Sequence, residues 1–320
     1  MRTNVLVVGG AGYVGGITVD LLQVAGYEVR VYDALLYEET YRKPVDFVFG
    51  DVRDGARLLP QLRWADAVVW LAALVGDPAC ALHPESATEI NEAAVRFLAD
   101  HYDGRIAFAS TCSVYGACDG VLDESAVTRP LSVYASTKLR AEGHLAGKDS
   151  LIFRLGTLFG VGDFFSRIRL DLVVNALAVK AHKLGRITVF GGGQWRPLLH
   201  VHDVARAIVD NLEDGERGIF NLHAENLQIR ELAPRLLGHF PALKIEEVPT
   251  DLADARNYRV SSDRARRRLR FAPSRSVDEG IREMKALLTS NRLQDPENPR
   301  YTNQQYLSLH HPHLRGSHGG

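Results

Sequence analysis

The sequence predicts an α/β fold, a doubly wound parallel sheet with a smaller C-terminal lobe, and three observations carry that expectation. Short apolar runs of strand length recur through the first half, with helix-period segments between them. The first run, Val5-Leu6-Val7-Val8, empties directly into Gly9-Gly10-Ala11-Gly12-Tyr13-Val14-Gly15. Beyond Phe159 the even alternation breaks down, so a differently built region follows. With 320 residues the chain can bury a sizeable core for one large α/β unit and an appended lobe.

Residues 5–8 read as the opening strand, the glycines as a turn, and 17–24 as a helix with apolar positions at helical spacing. Strands follow at 28–32, 46–49, 67–71 and 105–109, with helices around 56–62 and 86–100. A sixth strand at 151–155 ends the regular rhythm; 170–181 reads as a helix and 187–190 as a strand before Gly191-Gly192-Gly193. Residues 201–212 and 218–222 read as returning to the first domain. The expected division is a first domain over 1–155 with returning segments at about 200–222, a substrate-binding lobe from 156–199 and 223–290, and a tail over 291–320. That tail is polar with several prolines and histidines, and reads as surface-draped or disordered.

Lys and Arg number 38 against 39 Asp and Glu, a net charge of −1 that argues against a dedicated nucleic-acid binder. The basic stretch Arg264-Ala265-Arg266-Arg267-Arg268-Leu269-Arg270 reads as a solvated helix face, with Leu269 and Phe271 supplying its apolar side. Cys80, Cys112 and Cys118 follow no metal-ligand spacing and cannot all pair, which fits a reducing cytoplasm and no metal site. The apolar run after Met1 is too short for a signal peptide or a spanning helix, so a soluble, cytoplasmic protein with no membrane partner is expected.

The glycine stretch fits G-x-G-x-x-G over residues 10–15, and Gly9, Gly12 and Gly15 also fit G-x-x-G-x-x-G. Both spacings let backbone N–H groups approach a pyrophosphate at a helix N-terminus. Asp33 ends the next strand, eighteen residues after Gly15, where a carboxylate accepts hydrogen bonds from ribose hydroxyls and repels a 2′-phosphate. Strand, turn, helix and acidic strand end together describe a Rossmann-type site that favours NAD over NADP. Downstream, Tyr134-Ala135-Ser136-Thr137-Lys138 places a phenol and an ammonium four residues apart on one helix face. A lysine beside the phenol favours phenolate, so Tyr134 is expected to have a lowered pKa and to act as a proton shuttle.

In this order the glycine loop, Asp33, Asp51-Val52-Arg53-Asp54, Leu71-Ala72-Ala73, Ser110-Thr111 and Tyr134-x-x-x-Lys138 resemble the extended short-chain dehydrogenase/reductases. The chain is most similar to their NAD-dependent nucleotide-sugar epimerase/dehydratase branch, from Val5 to about Lys285. The resemblance implies that Gly9, Gly12, Tyr13, Val14, Gly15, Asp33, Asp51, Val52, Leu71, Ala72 and Ala73 hold NAD together with Tyr134 and Lys138. It implies that Lys138 hydrogen-bonds the nicotinamide ribose and that Thr111 hydrogen-bonds the reacting sugar hydroxyl. Asn175 matches a residue near the substrate diphosphate, Arg196 an arginine that grips it, and Arg256 a second arginine that closes over the nucleotide. Asp203 reads as a helix N-cap and His200 as a packed histidine, so neither is given a catalytic role.

The implied reaction is epimerisation of a nucleotide-diphosphate sugar at C4 through a transient 4-keto sugar, with Tyr134 as acid/base and NAD recycled. Dehydratase relatives carry an Asp-Glu pair directly after the threonine, where this chain has Cys112 and Ser113. Cys112 reads either as a small packed residue or as a chemical group beside the substrate. A dehydratase or decarboxylase, and a 4-ketosugar reductase, remain alternatives, as does a non-enzymatic dinucleotide sensor, against which the intact Tyr134, Lys138 and Thr111 speak. By analogy with relatives, a homodimer is expected through a four-helix interface built from 86–100 and 132–146.

Overall fold

A computed structural model describes residues 3–163, 165, 167–249, 257–293, 295–311 and 314. Seven strands, β1 (Asn4–Val8), β2 (Glu28–Asp33), β3 (Asp46–Phe49), β4 (Ala67–Trp70), β5 (Arg105–Thr111), β6 (Ser150–Leu155) and β7 (Gly218–Leu222), form one sheet. Every pairing is parallel, in the order β7-β6-β5-β4-β1-β2-β3. The chain reverses its direction across the sheet between β1 and β4, and a crevice opens outside the carboxyl ends of the strands at that switch point.

The central strands are covered on both faces, which is why they read as unbroken apolar runs instead of alternating ones. The helices α1 (Tyr13–Val24) and α2 (Val133–His144) reach the crevice, and α3 (Val201–Asp210) packs beside α1. On one face Val19 and Leu22 of α1 meet Val204, Ala207 and Ile208 of α3 over Val5 and Val7. On the other, Leu58, Leu62, Val95, Leu98 and Ala141 pack over Leu6, Val8, Val68 and Trp70. The predicted doubly wound sheet is therefore the observed one.

The helix expected over 86–100 is interrupted. Helical turns at Pro84–Thr88 and Ala94–His101 flank a π-helical turn at Glu89–Ala93. At its centre Asn91 is fully buried, accepting from the Leu74 amide at 2.8 Å and donating to the Leu74 carbonyl at 3.0 Å and to Thr137 Oγ1 at 3.2 Å. One buried side chain thereby ties the segment after β4 to α2, and its amide is left with no orphaned group.

A smaller three-stranded sheet of Thr157–Phe159, Trp195–His200 and Glu225–Gln228 and three helices, Val173–Leu184, Ile229–His239 and Val277–Thr289, enclose a second core. The helix expected from 170 starts at Val173, because Leu172 is still extended. In the basic stretch Ala265, Leu269 and Phe271 are buried, while Arg266, Arg267 and Arg268 are exposed.

Of the two readings of the tail, draped or disordered, the described residues 295–311 follow the first. A 3₁₀ turn at Pro299–Tyr301 leads into α4 (Asn303–His310), which packs on the short helix Asp77–Leu82. Leu307 is fully buried, Asn303 Nδ2 donates to the Val75 carbonyl at 2.7 Å, and the Tyr306 ring meets Tyr37 at 5.5 Å. Arg300 is paired with Glu38 at 2.6 Å. Among the described residues no helix is long and apolar enough to cross a membrane.

Candidate active site

The glycine loop, the ends of β2, β4 and β5, α2 and the segment after β6 line one cleft of roughly 760 Å³. Gly9 sits at φ +90° against the end of β4, where a Cβ would lie 2.4 Å from the Ala72 nitrogen. A Cβ on Gly15 would lie 2.4 Å from the Gly9 carbonyl oxygen, so only glycine lets the first turn of α1 close on the loop. The Tyr13 hydroxyl donates to the Gly160 carbonyl at 2.6 Å, and Gly12, Tyr13 and Val14 all line the cleft.

Asp33 braces this loop. Its carboxylate accepts from the Ala11 amide at 3.0 Å and from the Leu35 amide at 2.8 Å, while burial pushes its pKa up against those two bonds. Burial would also raise Asp51, but hydrogen bonds from the Arg53 guanidinium and amide hold it below the usual carboxylate range. Val52, Leu71, Ala72 and Ala73 line the same wall. A glycine cradle without Cβ atoms, an amide-rich helix start and an acidic strand end form a donor set that fits a dinucleotide.

Tyr134 and Lys138 lie one turn apart on α2, whose start is capped by the Ser132 hydroxyl accepting from the Ala135 amide at 3.1 Å. Ser132 in turn donates to Asp77 at 2.6 Å. Deeper along α2, Glu142 makes a buried bidentate pair with Arg154 of β6 and accepts from Ser110 of β5 at 2.5 Å. The helix α2 is thus fixed to two strands by charge-assisted bonds. Thr111, at the end of β5, accepts from the Ser113 amide at 3.1 Å, and its side chain acts against the rise in the Tyr134 pKa. Ser113 lines the cleft and shares a hydrogen bond with the Tyr258 hydroxyl at 3.2 Å.

One electrostatic expectation is reversed. Burial pushes the Tyr134 phenol up, with Cys80 and Asp77 adding to the rise, and Lys138 does not offset it. The Lys138 ammonium donates to the Ala109 carbonyl at 2.7 Å and is itself lowered to about 8 by burial. Burial therefore holds Tyr134 as a protonated phenol, which has to lose its proton before it can accept one.

Two further expectations change, for Asn175 and Asp203, while Cys112 takes the packed one of its two readings and does not line the cleft. Asn175 does not reach the cleft: it is fully buried, its Oδ1 accepts from the Gly160 amide at 2.9 Å and its Nδ2 donates to the Arg169 carbonyl at 2.8 Å. Cys112 is packed as well, donating to the Arg154 carbonyl at 3.1 Å, with a thiol pKa pushed far up by burial. His200 caps α3 by accepting from the His202 amide, whereas Asp203 accepts from the amides of Ser274 and Arg275. Arg196 lines the cleft, buried, with Nη1 donating to the Trp195 carbonyl at 2.8 Å. Arg256 lies outside the described residues.

Sequence reasoning missed Arg167, Arg169 and Asp171, which line the wall facing the glycine loop. The Arg-x-Arg-x-Asp spacing was the available signal, but without the fold nothing marks it as facing inward.

The model of the family described as "NAD dependent epimerase/dehydratase family" matches residues 5–222. A UDP-glucose 4-epimerase of Rhizobium meliloti is 35% identical over 256 residues, 69% of this chain and 76% of that protein. A UDP-glucose 4-epimerase of Corynebacterium glutamicum is 27% identical over 302 residues, 84% of this chain and 91% of its own. Among solved structures, a dTDP-glucose 4,6-dehydratase from Streptomyces venezuelae with NAD bound is similar at a TM-score of 0.78 and 26% identity, covering 90% of this chain and 98% of that one. Motifs, sheet order and these likenesses agree: the chain belongs to the NAD-dependent epimerase/dehydratase family, with NAD as its cofactor.

Proposed function

We propose that the protein is a nucleotide-sugar 4-epimerase in which Tyr134 is the acid/base, Thr111 orients the reacting hydroxyl and Lys138 holds the nicotinamide ribose. The observation that carries this reading is the convergence of Thr111, Tyr134 and Lys138 on the cleft that the glycine loop opens into. Bound NAD supplies the hydride acceptor and donor together with a positive charge beside the phenol. Tyr134 takes the proton from the C4 hydroxyl as its carbon is oxidised and returns a proton when the ketone is reduced on the opposite face. Thr111 donates to the same oxygen, since its own oxygen already accepts from the Ser113 amide.

The fate of Cys112 favours epimerisation over 4,6-dehydration. A dehydratase needs an acid and a base directly after the threonine, and here one position is a buried, protonated thiol and the other a serine. On the cofactor side we assign Gly9, Gly12, Gly15, Asp33 and Asp51 to the dinucleotide, and on the substrate side Ser113 and Arg196. The same reading includes a homodimer through a four-helix interface built from 86–100 and 132–146, two segments joined by the Glu92–Arg140 pair at 2.6 Å. Light scattering at two protein concentrations checks that state; a monomer at both refutes it.

The test of the activity is incubation with UDP-glucose without added cofactor, with products resolved by NMR. A galacto-configured product supports the reading, and a 4-keto-6-deoxy sugar overturns it in favour of a dehydratase.

A further inference from the structure

The wall opposite the glycine loop contains an incomplete ionic arrangement. Arg169 makes two hydrogen bonds with Asp171, at 2.9 and 3.1 Å, and Asp171 also accepts from the Asn303 amide at 3.0 Å. Arg167 is only 5% exposed and lies 3.7 Å from the centre of the Tyr37 ring. Its Nη2 donates to the Arg300 carbonyl at 3.1 Å, while its Nε is buried with no partner. Among the described residues no carboxylate lies within ion-pair distance of it, and neighbouring Glu38 is paired with Arg300. Two guanidiniums and one carboxylate leave this wall one positive charge in excess.

A buried guanidinium cannot shed its proton to escape that position, so an unpaired one is costly unless an anion completes it. Burial and the adjacent Arg169 both act against its charge, lowering Arg167 to about 10. Arg169 is electrostatically coupled to Tyr13 on the glycine-loop side and to Tyr134 on the catalytic side. Arg167 and Arg169 line the same cleft as the glycine loop, so the excess charge borders the space that a diphosphate ligand would occupy.

We propose that Arg167 and Arg169 form a diphosphate clamp, in which the planar Arg167 fork takes phosphate oxygens while Asp171 and Asn303 hold Arg169 in place. The clamp deepens the proposed function by adding a second cationic contact to Arg196, and it rests on that reading for the identity of the ligand. Two ligands carry the required group: the dinucleotide, and the sugar nucleotide. Binding of simple probes separates them without any turnover.

The experiment is calorimetric titration of ADP and adenosine into cofactor-stripped protein, and of UDP and uridine into NAD-loaded protein, for the wild type, Arg167→Met and Arg167→Lys. A tenfold or larger loss for Arg167→Met confined to ADP assigns the clamp to the dinucleotide, and one confined to UDP assigns it to the sugar nucleotide. In either case adenosine and uridine bind unchanged and Arg167→Lys recovers part of the loss. Affinities for ADP and UDP that both stay within twofold of wild type overturn the clamp. Should Arg167→Met fail to fold, Arg167→Lys is read alone: a threefold or larger loss for either diphosphate supports the clamp, and none overturns it. Loss of diphosphate binding in a protein that does not turn over UDP-glucose would leave the clamp standing and the epimerase reading fallen.

Discussion

On the glycine-loop side of the cleft, Asp33 already spends both carboxylate oxygens on the Ala11 and Leu35 amides, and Asp51 is gripped by Arg53. On the facing side Arg167 is buried with an unpartnered Nε, and its wall is assembled from residues 167–173 and the α4 region. The first wall is internally satisfied before a ligand arrives; the second is finished only by one. The difference follows from sequence distance. Asp33 lies 22 residues from Ala11 and 2 from Leu35, whereas Asn303 reaches Asp171 across 132 residues and Val75 across 228.

The seam between the walls is where the comparison is tested hardest. Replacing Tyr134 by Phe is expected to lower kcat by roughly 10²–10⁴ with NAD still bound, because only the proton transfer is removed. Steady-state kinetics beside quantitation of NAD released on denaturation checks this, and loss of NAD together with activity would place Tyr134 in the cofactor wall instead. Replacing Gly15 by Ala attacks the finished wall directly. The new Cβ has no room beside the Gly9 carbonyl, so bound NAD should fall at least tenfold while α2 and its chemistry are untouched.

Stability sharpens the contrast. Glu142→Ala strands the buried Arg154 charge and should destabilise the fold by about 3–5 kcal/mol in urea unfolding. The double change Glu142→Leu with Arg154→Met should recover much of that, showing that the cost is a stranded charge and not a lost contact. His223, buried against Ser262 and Asn226 where β7 leaves the sheet, has its pKa lowered to about 4 by burial and by Arg266. Its unfolded form takes up a proton near pH 6.5 while the folded form resists, so stability is full above 6.5. It is lost progressively down to about pH 4, by up to about 3 kcal/mol. His223→Gln should flatten that part of the profile of unfolding free energy against pH. The smallest effect expected is Asn303→Ala, about 1–2 kcal/mol for one lost buried hydrogen bond, read as earlier thermal unfolding of the NAD-loaded protein.

What was legible in the sequence is the part whose determinants are local. Val5 to Val8 reads as a buried strand because both of its faces are covered, and Gly15 and Asp33 fall at spacings set by one strand-turn-helix unit. Tyr134 and Lys138 are legible for the same reason, being one helical turn apart. Their electrostatics were not, because burial by residues from other segments decides the Tyr134 pKa. The π turn at Asn91 escaped notice because its cause is Leu74 and Thr137, not its own neighbours. The helix α4 escaped because Leu307 is its one buried apolar residue and its partners precede it by 132 residues or more. Asn175 was misplaced because spacing alone does not tell a buried amide that fastens Gly160 from one that faces a ligand.

The central claim is that one carbon is oxidised and reduced again by the same bound cofactor, and a single labelling experiment reads it. The protein as purified, with no cofactor added, is incubated with UDP-glucose carrying deuterium at C4, and the product is examined by NMR. The account predicts a galacto-configured product with the label retained at C4. Label found at C6, or lost from the sugar, would contradict it.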